Sequence, residues 1–193
     1  MSSYGKVVLA FSGGVDSSLL LRVAADQLGQ GLLAVTMRSV LSSAAGFDAA
    51  AAQCHALGVE QVEVDFRPLE QIPTFDHNPE NRCYLCKQAI FQEIRRLADE
   101  RGINQLIDGS NADDVAKGVA HRPGLAAVAE AGVASPLAEV GLTKAEIRAI
   151  SRQFGLATAD QPSHGCLATL LPYGTKLTSG LLAAQSFAAP GTL

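Results

Sequence analysis

The sequence predicts an α/β fold: an open, mostly parallel sheet of five strands with helices on both faces. Three observations carry that reading. Val7-Val8-Leu9-Ala10-Phe11 is an apolar run that stops abruptly at Ser12-Gly13-Gly14, as a buried parallel strand does at a tight turn. Strand-like and helix-like stretches then alternate β-α-β-α-β through residue 65, which requires parallel pairing through right-handed crossovers. Two further strand-like stretches, 105–107 and 133–137, come later in the chain. The 193 residues suit a single domain, 1–193, that buries roughly 70% of its unfolded surface and needs no staples.

Each element has its own signal. After the glycines, Leu19, Leu20 and Val23 share one helical face. Residues 32–37 read as the second strand, 47–57 as an alanine-rich helix stopped by Gly58, and 60–65 as an alternating third strand. Pro68, Pro73 and Pro79 make 66–82 a loop. Ile90, Phe91, Ile94 and Leu97 mark a helical face that ends at Gly102. Arg122-Pro123-Gly124 is a turn before a short helix near 125–130. In the helix 143–154, Thr143 and Glu146 form a capping box and Gly155 supplies the stop. From Leu156 onward the chain reads as loop, and the tail from Ser186 carries no strand pattern.

Composition narrows the function classes. Apolar residues make up 48% and charged residues 18%, against a usual charged share of about 25%. So few solvated charges point to a surface partly covered by a partner or by another copy, and a homo-oligomer is expected. The net charge of −4 argues against a nucleic-acid partner, which wants a basic face. Neither a signal peptide nor an apolar run of about 18 residues is present, so the expected location is the cytoplasm, with no membrane partner. Four cysteines in a reducing compartment are better explained as ligands or catalysts than as disulfides.

The chemistry concentrates at strand ends, where open parallel sheets bind ligands. Gly13 and Gly14 let a ligand approach the main chain. The N–H groups and dipole of the following helix attract an anion, and Ser12, Ser17 and Ser18 add hydroxyl donors. A Walker loop is excluded because no lysine stands here, and a dinucleotide fingerprint because the G-x-G-x-x-G spacing is absent. Asp108-Gly109-Ser110-Asn111-Ala112-Asp113-Asp114 follows the fourth strand. Its Asn and Asp side chains suit ribose, Mg²⁺ or a reacting group, and equally suit a helix cap. Cys83-x-x-Cys86 reads as a redox pair, as half of a zinc site completed by Cys166 and His164, or, with Cys166, as three ligands of an iron–sulfur cluster. Lys87 beside the pair can lower a thiol pKa or touch phosphate. Cys54 reads as a small core residue, and His55, His77 and His121 have no evident partner.

Ser12-Gly13-Gly14-Val15-Asp16-Ser17 resembles the PP-loop of the N-type ATP pyrophosphatases, so the implied fold is the adenine nucleotide alpha hydrolase-like sheet. In that group the loop grips the pyrophosphate of ATP, which is cleaved between its α and β phosphates. The resemblance extends along residues 5–178 through Asn78-Pro79-Glu80-Asn81-Arg82-Cys83-Tyr84-Leu85-Cys86-Lys87, the Asp108–Asp114 segment, Arg122-Pro123-Gly124, Ser135-Pro136-Leu137, Lys144-x-Glu146-Ile147-Arg148 and Pro162-Ser163-x-x-Cys166-Leu167-Ala168. In that order they look like the ATP-dependent sacrificial sulfur transferases called LarE. The resemblance implies a small-molecule carboxylate substrate, pyridinium-3,5-biscarboxylic acid mononucleotide. It would be adenylylated and converted to a thiocarboxylate in nickel-pincer cofactor biosynthesis. It further implies ATP and Mg²⁺ at Ser12, Gly13, Gly14, Asp16, Ser17 and Ser18, with Asp16 on the metal. Phe11, Thr36, Met37, Arg38, Gly109 and Asn111 would stand on the nucleotide side. Cys166 matches the sulfur-donating cysteine, so Cys166, Asp16 and Lys87 are the implied catalytic set, and Cys83, Cys86 and Cys166 the implied [4Fe–4S] ligands. Two departures stand out. Leu170 occupies a stretch where the family usually carries Arg, and the family's smaller C-terminal domain has no counterpart before Leu193. The competing readings are another PP-loop enzyme, such as a tRNA thiolase or an amide-forming synthetase, and a non-catalytic nucleotide-binding remnant.

Overall fold

The computed structural model describes residues 4–118, 122–162 and 165–188. The strands are β1 (Val7–Ala10), β2 (Leu32–Arg38), β3 (Glu60–Asp65) and β4 (Gln105–Ile107). They form one sheet in the order β3-β2-β1-β4, parallel throughout, with Val7 beside Leu32 and Leu9 beside both Ala34 and Ile107. The helices are α1 (Val15–Leu28), α2 (Ala44–Leu57), α3 (Pro68–Gln71), α4 (Arg82–Glu100), α5 (Ala112–Ala116), α6 (Gly124–Glu130), α7 (Pro136–Glu139), α8 (Lys144–Gln153) and α9 (Ser179–Ala188).

Strand parity explains the two layers of helices. Successive side chains of a strand point to opposite faces. Val7, Leu9, Leu32, Ala34 and Ile107 therefore pack with Leu19 to Leu21 of α1, Ala50 and Cys54 of α2 and Ile147 of α8. Val8, Leu33, Val35 and Leu106 pack with Phe91, Ile94 and Leu97 of α4 and Val128 of α6. β1 and β2 are buried on both faces, hence their unbroken apolar runs. β3 lies at an edge and alternates between half-buried and exposed.

Three expectations are corrected. The sheet has four strands, not five: of 133–137 only Ala134 bridges to Ile107. Pro136 has no N–H for a ladder and instead opens α7, and the Ser135 hydroxyl donates to Asp108. Within the expected loop 66–82 stand α3 and a 3₁₀ turn, Phe75–His77. The segment after Leu156 is not loop throughout, because it includes a 3₁₀ turn, Leu167–Leu170, and then α9. Leu167, Ala168, Leu177 and Leu182 close a third apolar cluster over Leu41, Phe66, Ile72 and Phe75, beyond the carboxyl ends of β2 and β3. Leu182 is fully buried, and burial of such a side chain contributes about 1.5–3 kcal/mol, enough to dock this segment onto the sheet edge. Among the described residues no helix is long and apolar enough to cross a membrane.

Candidate active site

The turn after β1 is built by its own side chains. Gly13 has φ +74°, and a Cβ there would stand 3.0 Å from Ala50 Cβ of α2, so both backbone angle and space require glycine. Gly14 caps α1 without a side chain, leaving the helix start open to a ligand. The serines divide in role. Ser12 is exposed, with its Oγ 3.1 Å from Ser17 Oγ. Ser17 and Ser18 are buried and donate inward to the carbonyls of Gly14 and Gly13, at 3.1 and 3.3 Å. Their hydroxyls thus brace the loop from within.

Asp16, in the first turn of α1, is the hub of a polar cluster. Its carboxylate accepts from Asn111 Nδ2 at 3.2 Å and pairs with Lys144 Nζ at 2.5 Å. Asn111 also caps α5, in a reciprocal box with Asp114, so the cap reading and the ligand-edge reading of this segment share one residue. The Lys144 backbone N–H donates to Asp113, and Arg122 pairs with Asp114 at 2.8 Å. Sequence reasoning named Lys144 only within a resemblance motif and gave it no role in the site. A signal was present: the Thr143–Glu146 capping box, which forms as expected, puts Lys144 at the first residue of α8. A cation there opposes the helix dipole and so wants an anionic partner.

Gly109 joins this cluster to the next. A Cβ on Gly109 would lie 2.9 Å from Ser17 N and 3.1 Å from Ser17 Cα, so β4 ends in direct contact with the first turn of α1. Its neighbour Asp108 is 3% exposed, accepts from the hydroxyls of Ser110 and Ser135, and lies 3.8 Å from Lys87 Nζ. Lys87 therefore faces a carboxylate, and its ammonium also lies over the Phe91 ring.

The nucleotide-side candidates separate. The Phe11 side chain is core, and its carbonyl accepts from the buried Thr36 hydroxyl at 3.0 Å. Met37 is half-buried between two apolar clusters. Arg38 pairs with Glu63 at 2.9 Å and lies over the Phe47 ring. It borders a cleft of about 410 Å³ at the carboxyl ends of β2 and β3, also lined by Ser39, Ser42, Phe47 and Asp65.

Cys83 and Cys86 occupy the first turn of α4, and Cys166 immediately precedes the 3₁₀ turn. All three are free thiols, partly buried, whereas Cys54 is core as expected. Burial, then the neighbouring Cys166, push the Cys86 thiol up to about 12 against the opposing charge of Lys87. Burial also raises Cys166, opposed by the backbone N–H groups of Ala168 and Thr169 and by Arg82, and reinforced by Cys83. Cys86 and Cys166, eighty residues apart in sequence, thus pack against the same apolar cluster, and Cys83 is close enough for its charge to act on both. Among the described residues, however, no group of three His, Cys, Asp or Glu side chains is drawn together tightly enough for a metal ion. The donor set suits a cluster, in which each thiolate meets a different iron, better than one ion. His164, the fourth ligand of the zinc option, lies outside the described residues, as does His121. His55 and His77 do not join the site; His77 meets Asp76 at 2.8 Å on the surface. Leu170 is 52% exposed at the end of the 3₁₀ turn.

The model of the NAD synthase family matches residues 1–97. An uncharacterized protein of Synechocystis sp. is 39% identical over 173 residues, 90% of this chain and 63% of its own length. A pyridinium-3,5-bisthiocarboxylic acid mononucleotide synthase from Lactiplantibacillus plantarum is 32% identical over 176 residues, 90% of this chain and 62% of its own. The chain thus spans under two thirds of the length of these curated relatives. Among solved structures, the U34-tRNA thiolase NcsA from Methanococcus maripaludis with its [4Fe-4S] cluster superposes with a TM-score of 0.62 at 20% identity, covering 96% of this chain and 65% of that one. At that identity the likeness concerns the fold.

Proposed function

This chain belongs to the NAD synthase family, and from that premise we propose that it uses ATP to adenylylate a carboxylate and then replaces the adenylate by sulfur. The observation that carries the second half is a chain of contacts. Ser17 of the phosphate loop touches Gly109, Asp108 beside it faces Lys87, and Lys87 adjoins Cys86 in the thiol group. Activation and sulfur delivery would share one sheet edge. The Lactiplantibacillus relative's name supports a pyridinium dicarboxylate mononucleotide as the carboxylate.

In this reading the main-chain N–H groups of residues 13–16 hold the polyphosphate, and Lys144 neutralises charge as pyrophosphate leaves. Asp16 would hold Mg²⁺, whose charge would offset that of the phosphates. A substrate carboxylate oxygen attacks the α-phosphorus, and the bond to the β-phosphate bridge breaks. The Cys166 sulfur, as thiolate, then attacks the acyl carbon and AMP departs with the electron pair of the C–O bond. Removal of the Cys166 Cα proton forms a Cα=Cβ bond and breaks Cβ–S, leaving thiocarboxylate on the product and dehydroalanine in the chain. A [4Fe–4S] cluster on Cys83, Cys86 and Cys166 would instead supply an iron free of protein ligands as the sulfur carrier, so that Cys166 survives turnover. The C-x-x-C pair has a task only in the second route, which we therefore favour.

Two measurements test the proposal. With ATP and substrate the products are AMP and pyrophosphate, and Asp16→Ala abolishes pyrophosphate release with the fold intact; ADP and phosphate would refute the loop assignment. Anaerobically purified protein is expected to be brown and to lose iron in each of the three Cys→Ala variants. Colourless protein that loses the elements of H₂S from Cys166 after one turnover selects the sacrificial route. An amide-forming reaction, favoured by the family's name, is separated by supplying ammonia in place of a sulfur source.

A further inference from the structure

The segment 75–82 is clasped by the segment that carries Cys166. Asn78 is fully buried, and its Nδ2 donates to the carbonyls of Ala168, Leu171 and Pro172 at 3.4, 3.2 and 2.8 Å. Gly174 N–H donates to Asn78 O, and Leu177 N–H to Asp76 O. Among the described residues three polar atoms inside this seam are buried with no partner: Asn78 Oδ1, Arg82 Nε and Arg82 Nη1. Arg82 is 7% exposed, its guanidinium lies 4.4 Å from the centre of the Tyr173 ring, and among the described residues it makes no ion pair.

A buried guanidinium with two unmatched donors is costly to a fold, because the Tyr173 ring replaces only part of the hydration it has lost. Its position adds to the cost, since Arg82 is the first residue of α4, where the helix dipole already presents positive charge. Both fields are relieved by an anion. Arg82 is also close enough to Cys166 for its charge to act on that sulfur.

We propose that Arg82 is the seat of a small inorganic monoanion beside Cys166, and that in turnover the anion is hydrosulfide. The site itself rests on the unpartnered side chain; the identity of the anion rests on the sulfur-transfer reading above. The two free donors of Arg82 bind the anion, and Asn78 Oδ1 can accept the S–H of hydrosulfide, a contact that chloride and nitrate cannot make. Sulfide that reaches the thiols would then be held as a charged, oriented species before transfer, with no oxidation or reduction at the seat.

The test follows chloride NMR line width in a titration of the anaerobic 193-residue chain, at fixed ionic strength with a bulky organic anion as filler. Expected are saturable broadening that nitrate and hydrosulfide displace, and binding weaker by roughly tenfold or more in Arg82→Gln. Cys83→Ala, expected to lack iron, keeps the broadening, which separates the guanidinium from an open iron as the seat. Should Arg82→Gln fail to fold, Arg82→Lys keeps the charge but loses the fork, and should bind chloride less tightly than wild type. Absence of saturable broadening in wild type, or equal broadening in both Arg82 variants, means that the seam holds water only and overturns the site. Chloride bound at Arg82 but not displaced by hydrosulfide overturns the sulfur assignment. None of these readouts depends on ATP, so the seat fails or stands apart from AMP and pyrophosphate formation.

Discussion

Gly109→Ala tests whether the end of β4 sets the position of the phosphate loop. An added Cβ would meet Ser17 N at 2.9 Å and Ser17 Cα at 3.1 Å, both backbone atoms, where ordinary contact begins at 3.4 Å. The first turn of α1 must therefore retreat by about 0.5 Å, and no flexible side chain can yield in its place. Overpacking of this kind costs about 1–3 kcal/mol. Function should suffer more than stability. Ser17 braces Gly14 through its hydroxyl and adjoins Asp16, so the shift moves the N–H groups and the carboxylate together. A displacement on the order of 1 Å in a positioning group can cost about 10²-fold in rate. Urea unfolding gives the stability, and calorimetric ATP titration with a pyrophosphate-release assay gives the function. Gly46→Ala is the control: its Cβ would meet only Ser43 Oγ at 3.5 Å, within a helix that favours alanine. Gly109→Ala protein that binds ATP as wild type does, with stability within about 0.5 kcal/mol, would refute the close-approach argument.

Three other outcomes follow from the same contacts. Lys144→Met should lower pyrophosphate release by about 10²-fold, by loss of charge stabilisation at the leaving group. The partly exposed ion pair with Asp16 contributes at most about 1 kcal/mol, so a proportionate loss of activity and stability would contradict a functional role for Lys144. Asn78→Ala removes buried donors to three carbonyls at a left-handed backbone position of φ +48°, and should cost about 2–3 kcal/mol. It should also open 166–172 to limited proteolysis; Asn78→Gly relieves only the backbone part, and equal stability of wild type and both variants would show that the clasp is idle. Cys54 is raised to about 11 from 9.0, by burial first and by Glu63 second. The folded chain therefore keeps a proton that the unfolded chain loses above pH 9, so the stabilising contribution is complete below pH 9 and drains away towards pH 11. Cys54→Ala should flatten the alkaline decline in denaturation midpoints; unchanged slopes would exclude Cys54 as its source.

The first half of the fold is legible because its signals are local. β1 and β2 are buried on both faces and read as apolar runs. β3 is an edge and alternates, and Gly58 stops α2 in a left-handed conformation, φ +63°. The capping box of α8 is equally local. Misreading begins where tertiary partners decide. Residues 133–137 have strand composition, but Pro136 and the demand of Asp108 for the Ser135 hydroxyl end the ladder after one bridge. α9 reads as loop although its Leu181-Leu182-Ala183-Ala184-Gln185 run favours a helix, because Gly180 stands near its start and its apolar residues do not keep to one face. It is held by Leu177 and Leu182 against Phe66 and Phe75, contacts between residues more than a hundred positions apart.

The candidate site shows a parallel division, and one rule would have carried the reading further. The glycines and serines of residues 12–18 announce an anion site from their types and order alone. Lys144 and Arg82 stand within the quoted motifs without a role assigned to them, yet each is the first residue of a helix, α8 and α4. A cation at that position forfeits dipole energy of about 0.3–1 kcal/mol, and a fold that tolerates two such residues at one sheet edge has a use for them. Lys144 recovers the loss through Asp16. Arg82 has no such partner among the described residues, and two of its donors remain buried and unmatched. Since the loop, Lys144 and Arg82 all call for negative charge, a chain of net charge −4 has placed its cations where an anionic reactant would complete them. That distribution, rather than the overall charge, is what supports the proposed chemistry of phosphate, carboxylate and sulfur anions.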